Sequence, residues 1–379
     1  MPLALNEEQR MLRDTAREFL QNNAPVSLMR ELRDSGDSKG YSDAVWQQMI
    51  ELGFPAVAIP ESYGGLGFGY LGAGAILEEA GKTLAHSPFY STVALGAAAI
   101  TLGGTEEQKQ SLLAAIAAGE LTLAMAHEES NHHQPNTVSL SASASGDNYV
   151  LNGKKLFVAE GAIAHKLLVS ARTQGNNNDQ DGITLFLVDR NSEGVSCQTS
   201  TMIDSRNYAD IEFNNVKASA ANIIGTVNQA FTILDKTFDY GRICLAAEML
   251  GGAQTMFDKT VEYLKDREQF GQKIGSFQAL QHRAAKMFAE LELTRSAVVG
   301  ALAAIDDDSD NLPIMASLAK TRANDTYRLI TDEAVQMHGG IGLTDEMDIG
   351  FYLKRCRVSI HSLGDSGFHT DRYATLHGI

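Results

Sequence analysis

Two short segments carry residue types suited to an anionic, aromatic ligand. The first is Arg267-Glu268-Gln269-Phe270-Gly271, closely followed by Ile274-Gly275-Ser276-Phe277-Gln278-Ala279-Leu280-Gln281-His282. The second is Ala334-Val335-Gln336-Met337-His338-Gly339-Gly340-Ile341-Gly342. A guanidinium is a planar fork of donors, so Arg267 could hold a pyrophosphate while Phe270 covers an aromatic ring. Gly339 and Gly340 have no Cβ, so their amides could approach phosphate or ribose oxygens. For either segment alone the plainer account wins: Arg267 as a helix C-terminal cap, Phe270 as core, the glycines as a turn. Asp239 and Arg242, in Phe238-Asp239-Tyr240-Gly241-Arg242, stand three positions apart on one helical face. That spacing suits a ligand contact and a surface ion pair worth about 0.2–0.5 kcal/mol equally well.

Other clusters carry less chemistry. Adjacent His132 and His133 point apart and lack a third ligand, so a polar loop is expected and no metal. Asp306-Asp307-Asp308-Ser309-Asp310 lacks the alternation and glycine of a calcium loop and reads as a solvated interhelical loop. Gly64-Gly65-Leu66-Gly67-Phe68-Gly69 follows no strand of a dinucleotide fold and reads as a loop needing backbone freedom. Cys197, Cys244 and Cys356 are too scattered for a zinc knuckle or disulfide framework, which favours reduced thiols in a cytoplasmic protein. The formal charge of -16, from 31 Lys plus Arg against 47 Asp plus Glu, argues against nucleic acid. An anionic ligand must then rely on local cations and amides. The N-terminus lacks a basic start and apolar core, so no signal peptide is expected. The apolar stretch from Thr92 to Ala118 is broken at Gly96, Gly103 and Gly104, so no membrane span is expected.

The elements that must position these residues follow from periodicity. With 379 residues and 44% hydrophobic content the chain can form two or three domains. Asn6 can cap a helix with Gln9, and helical spacing recurs over Ser42–Leu52, Leu71–Leu84 and Thr105–Gly119. Asn152-Gly153, flanked by Tyr149-Val150-Leu151 and Lys155-Leu156-Phe157-Val158, predicts a hairpin turn. Strands are expected at Leu167–Ser170 and Ile183–Val188, joined by the loop from Gln174 to Asp181. Helical period returns from Gln229 to His338. The predicted architecture is α+β and multidomain: an all-α domain over residues 1–120, a β-barrel-like domain over 121–225, and a C-terminal four-helix bundle over 226–379.

In this order, the segments and domains resemble the acyl-CoA dehydrogenases over essentially the whole chain. The resemblance implies FAD as cofactor and an acyl-CoA as substrate. Cofactor contacts are implied for Arg267, Phe270, Phe277, Gln278 and Gln281, facing the flavin of a neighbouring subunit, and for Gln336, His338, Gly339 and Gly340 near the dinucleotide. Asp239 and Arg242 are implied to face the CoA moiety. The shared cross-subunit site implies an oligomer, a dimer or tetramer of like or unlike chains.

The resemblance also exposes departures. Members of the family take the α-proton of the thioester with a Glu in a C-terminal Tyr-Glu-Gly-Thr segment, or with one placed just before the residue matching Arg242. Here those positions hold Leu363, in His361-Ser362-Leu363-Gly364-Asp365-Ser366-Gly367, and Gly241. Neither accepts a proton. Asp365 is the candidate substitute; Glu248, seven residues after Gly241, lies about 10 Å farther along a helix. His369 falls four residues after Asp365, which leaves it a helix-capping or acid–base role. Ala126-His127-Glu128-Glu129-Ser130 replaces the family's Thr-Glu-Pro run, and Phe157-Val158-Ala159 replaces Trp-Ile-Thr or Ser, removing a hydroxyl beside the flavin. Three readings follow: a subunit whose catalytic Glu comes from a larger partner chain, a self-sufficient enzyme using Asp365, or a flavin-free protein that keeps the fold. Small residues Gly72, Ala73, Gly74 and Ala75 fit both a bulky acyl group and close helix packing.

Overall fold

The computed structural model describes residues 5–379. It divides into two compact units interleaved along the chain. The sheet unit holds Glu31–Gly69 and His86–Gly241, and the helical unit holds the chain up to Arg30, Tyr70–Ala85 and Arg242–Ile379.

The early helices are α1 (Glu7–Asn23), α2 (Val26–Ser35), α3 (Asp43–Glu51) and α4 (Gly69–Thr83). Gln9 N donates to Asn6 Oδ1 at 2.7 Å and Asn6 N to Gln9 Oε1 at 3.1 Å, a capping box that starts α1 where its spacing predicts. Short helices α5 (Ala98–Gly103), α6 (Glu106–Gln108) and α7 (Ala114–Ala117) alternate with wider π turns over Tyr90–Ala97 and Lys109–Leu113. The small residues of α4 serve packing at Gly74, where a Cβ would lie 2.4 Å from Leu302 Cδ1. Asp306, expected in a solvated loop, instead accepts the amides of Tyr70 and Leu71 at 2.6 and 3.0 Å and so caps α4.

The strands are β1 (Leu123–Ala126), β2 (Ser141–Ser145), β3 (Asn148–Ala159), β4 (Lys166–Arg172), β5 (Ile183–Asp189), β6 (Val195–Thr201), β7 (Asn207–Ser219) and β8 (Ile223–Ile224). They form one mixed sheet in the order β6-β7-β3-β2-β4-β5-β8, with β1 parallel to β4. Leu140, Leu151, Val158, Leu167, Phe186 and Ile211 belong to one apolar core cluster of the sheet. The hairpin predicted at Asn152-Gly153 is not there. The turn falls at Gly146-Asp147, and β3 runs on through Asn152-Gly153, where its register with β7 shifts. A Cβ at Gly153 would come within 2.9 Å of Leu140 Cα, so this glycine serves close backbone approach at a bulge.

The C-terminal helices are α8 (Phe231–Asp266), α9 (Gln278–Asp306), α10 (Leu312–His338), α11 (Ile349–His361) and α12 (Ser366–Leu376). Helix α10 packs against α9, α11 and α12.

Candidate functional site

Beyond α8, β9 (Glu268–Gln269) and β10 (Gln272–Lys273) pair antiparallel, with Phe270 and Gly271 as the turn. Their φ values of 56° and 76° are both positive, as a tight two-residue hairpin requires. A bulky aromatic in that region is an outlier that its neighbours must justify. The turn leaves Phe270 91% exposed, with Phe277 edge-on at 6.2 Å. Arg267 is exposed, and its guanidinium makes no hydrogen bond or ion pair among the described residues. Gln278 and Gln281 are exposed on the first turn of α9, and Gln281 Nε2 donates to Gly275 O at 2.9 Å. At the end of α10, Gln336, Gly339 and Gly340 are also exposed. Gly339 has φ 65° and ψ -145°, a conformation that only glycine adopts readily, and no atom lies within 4 Å of a Cβ at either glycine. His338 differs: it is buried, stacked on Tyr263 at 4.3 Å, and bonded through Nδ1 to Ala334 O at 2.7 Å.

The segment where a base is expected is the turn between α11 and α12. Leu363 has φ 56°, and its carbonyl accepts Arg242 Nε at 3.3 Å and His369 Nε2 at 3.1 Å. Asp365 is exposed at the N-cap of α12, where Oδ1 accepts Phe368 N at 2.9 Å. Asp365→Ala should therefore cost about 1 kcal/mol in denaturant unfolding, while Asp365→Asn, an equally good cap, should change little. The Gly241 carbonyl accepts Tyr90 Oη–H at 3.0 Å. Asp239 and Arg242 are both buried, so the surface ion pair that their spacing allowed is excluded. Glu248 is buried against Arg355, with Oε1 3.2 Å from Nη1.

In the sheet unit, a polar cluster sits just past the end of β1. Lys155 Nζ, fully buried, donates to His127 O at 2.9 Å, Glu129 Oε1 at 2.6 Å and Ser170 Oγ at 3.0 Å. Ser170 is thereby left to give its hydroxyl proton to His127 Nδ1, 3.0 Å away. Burial pushes His127 down to about 4, so it is neutral at physiological pH. Burial would raise the Glu128 carboxyl, but the facing His133, 2.5 Å away, and then His127 bring it down to about 2. Glu128 and Glu129 line a cleft of about 460 Å³ with Ser130, Gln134, Thr137 and Lys154. Phe157 has φ 50° and is 44% exposed, with its amide on Asp210 Oδ1 at 3.2 Å.

Sequence reasoning singled out Arg267–Gly271 and Gly339-Gly340 as segments, but it expected helical period from Gln229 to His338 and so missed the β9–β10 hairpin; it also missed the buried lysines, Lys155 and Lys320, and the burial of His369. A signal existed for Lys155, since strand alternation turns only one of the adjacent Lys154 and Lys155 inward.

Family models described as the N-terminal, middle and C-terminal domains of acyl-CoA dehydrogenase match residues 6–120, 102–216 and 228–375. The chain belongs to the acyl-CoA dehydrogenase family. It is 32% identical to the caffeyl-CoA reductase–Etf complex subunit CarC of Acetobacterium woodii, over 93% of each chain. Among solved structures it is similar to butyryl-CoA dehydrogenase from Megasphaera elsdenii, with 25% identity, a TM-score of 0.90 and 100% of both chains covered. The ChsE4–ChsE5 complex from Mycobacterium tuberculosis contains a chain that is 25% identical with a TM-score of 0.89, covering 100% of this chain and 99% of that one.

As an acyl-CoA dehydrogenase family member the chain is an FAD-dependent oxidoreductase, and its helical unit fits that cofactor. Arg267 offers an uncommitted cation, Phe270 an exposed ring, and Gly339-Gly340 a backbone open to an incoming ligand. The buried, unpartnered Nε2 of His338 adds a polar atom beside the same turn. The sheet unit fits less well: Glu128 or Glu129 keeps the acid of the family's Thr-Glu-Pro run, but a buried imidazole at His127 and a methyl at Ala159 stand in segments where the family offers hydroxyls. Among the described residues, no helix is long and apolar enough to cross a membrane, and no cluster of metal-ligating side chains is present.

Proposed function

We propose that this chain is the subunit without a base in a cytoplasmic, hetero-oligomeric acyl-CoA dehydrogenase. It lends its exposed FAD surface to a larger partner chain that carries the catalytic Glu. The observation that carries this reading is the state of the turn between α11 and α12: residue 363 is Leu, and Asp365 is engaged as a helix cap. Glu248 is paired with Arg355, which argues against its use as a substitute. The ChsE4–ChsE5 complex and the CarC subunit are similar chains whose own names place them in assemblies of unlike chains.

When bound, FAD accepts the β-hydrogen of the acyl thioester as hydride while a carboxylate takes the α-proton. This chain's part is to bind and orient. Arg267 would pair with the cofactor's diphosphate, Phe270 and Phe277 would cover an aromatic ring, and Gln278 and Gln281 would donate from the start of α9. Gln336, His338, Gly339 and Gly340 would hold the dinucleotide at the end of α10. Asp239 and Arg242 order the segment beside the CoA moiety.

The cofactor role is tested by Arg267→Ala in the assembled oligomer. Loss of a charge-assisted hydrogen bond at an otherwise exposed site should weaken FAD binding about 10- to 100-fold without lowering the melting temperature of the lone chain. Unchanged FAD retention would remove Arg267 from the site.

A further inference from the structure

Three buried donors from three helices converge on two consecutive carbonyls of the turn at residue 363. Arg242 on α8 and His369 on α12 donate to Leu363 O at 3.3 and 3.1 Å, and Lys320 on α10 donates to Gly364 O at 3.2 Å. Lys320 is fully buried, and its other acceptors are Asn324 Oδ1 at 2.7 Å and Ser359 O at 3.0 Å. An ammonium has three N–H groups, so these three acceptors use all of them. Ser359 lies in the last turn of α11, so Lys320 ties the helix end to the turn that follows it.

His369 is also fully buried, with Nδ1 3.4 Å from Ser317 Oγ. Arg372 Nη1 donates to that same oxygen at 3.1 Å, leaving the Ser317 proton for Nδ1. Its Nε2 then bears the proton given to Leu363 O.

Leu363 sits in the left-handed region, where glycine is the easy choice, and Gly364 follows at φ 109°. Holding a branched side chain in that conformation costs free energy and persists only where the surroundings over-determine it.

We propose that Lys320 and His369 are positioning residues, which fix the backbone at residue 363 and thereby aim its side chain at the substrate. The proposal rests on the functional reading for what residue 363 faces, but the clamp itself acts in the lone chain. In this subunit the aimed group is the Leu363 side chain, an apolar wall in place of a carboxylate.

The test is hydrogen exchange of the full-length lone chain, read by mass spectrometry for peptides spanning residues 360–370 and for peptides of α1 and the sheet. Lys320→Met takes the donor from three buried acceptors, two of them at the end of α11 and the turn after it, so its effect is read at that turn against the distant peptides. The expected result is exchange about tenfold or more faster at residues 360–370, with the distant peptides unchanged. His369→Leu should do the same, and His369→Gln, which keeps a side-chain N–H for Leu363 O, should restore most of the protection. Wild-type exchange in His369→Leu, or acceleration spread evenly through the helices, would overturn the proposal. If Lys320→Met fails to fold, the His369→Leu and His369→Gln pair decides it. Neither flavin nor partner enters this experiment, so an error in the functional reading would show elsewhere, in the activity of the lone chain.

Discussion

Leu363→Glu, with FAD supplied in excess, should reduce its flavin on addition of an acyl-CoA about 10²–10⁴ times faster than wild type, measured as anaerobic bleaching. The expectation follows from the backbone. The carbonyls of Leu363 and Gly364 are fixed by donors from α8, α10 and α12, so a new side chain at residue 363 leaves from a defined point in a defined direction. A carboxylate there would stand where the family places its base. Leu363→Gln has nearly the same shape but cannot take a proton, and it should show no gain. Equal rates for the Glu and Gln variants would mean that residue 363 does not reach the reacting carbon.

Arg355→Met should destabilise the fold by about 3–5 kcal/mol in denaturant unfolding, the largest stability effect expected from one substitution in the helical unit. Arg355 Nη1 donates to Glu248 Oε1 at 3.2 Å and Nη2 to Leu84 O at 3.3 Å, both in buried surroundings. Removing the guanidinium takes away the charge that Arg355 sets against the buried Glu248 carboxylate. The double variant Arg355→Met with Glu248→Gln should recover much of the loss, because the uncompensated charge is then gone. A single variant as stable as wild type would show that the Arg355–Glu248 contact contributes nothing to stability. That outcome would also reopen Glu248 as a proton acceptor.

Much of the fold was legible because helical periodicity runs for many turns in α8, α9 and α10, and because buried strands such as Ile183–Asp189 are nearly continuous in apolar residues. Asn152-Gly153 misled because the same two residues serve a hairpin turn and a strand bulge equally well; only the approach of Leu140 decides between them. Local composition could not show that Asp306 reaches the start of α4, since that contact joins residues 235 and 236 positions apart. As candidates, the exposed residues Arg267, Phe270, Gly339 and Gly340 were readable from residue type alone. The buried residues were not. Lys320 and His369 take their meaning from carbonyls at the end of α11 and in the turn after it, and a carbonyl leaves no mark in a sequence.

The proposed subunit would share its FAD surface with a partner and supply no base of its own. The most direct measurement is the visible absorbance spectrum of the purified lone chain, taken before and after anaerobic addition of a panel of acyl-CoAs. The expected result is little bound FAD and no bleaching, with bleaching appearing once a Glu-bearing acyl-CoA dehydrogenase partner is added. A lone chain that carries a full complement of FAD and bleaches with an acyl-CoA would contradict it.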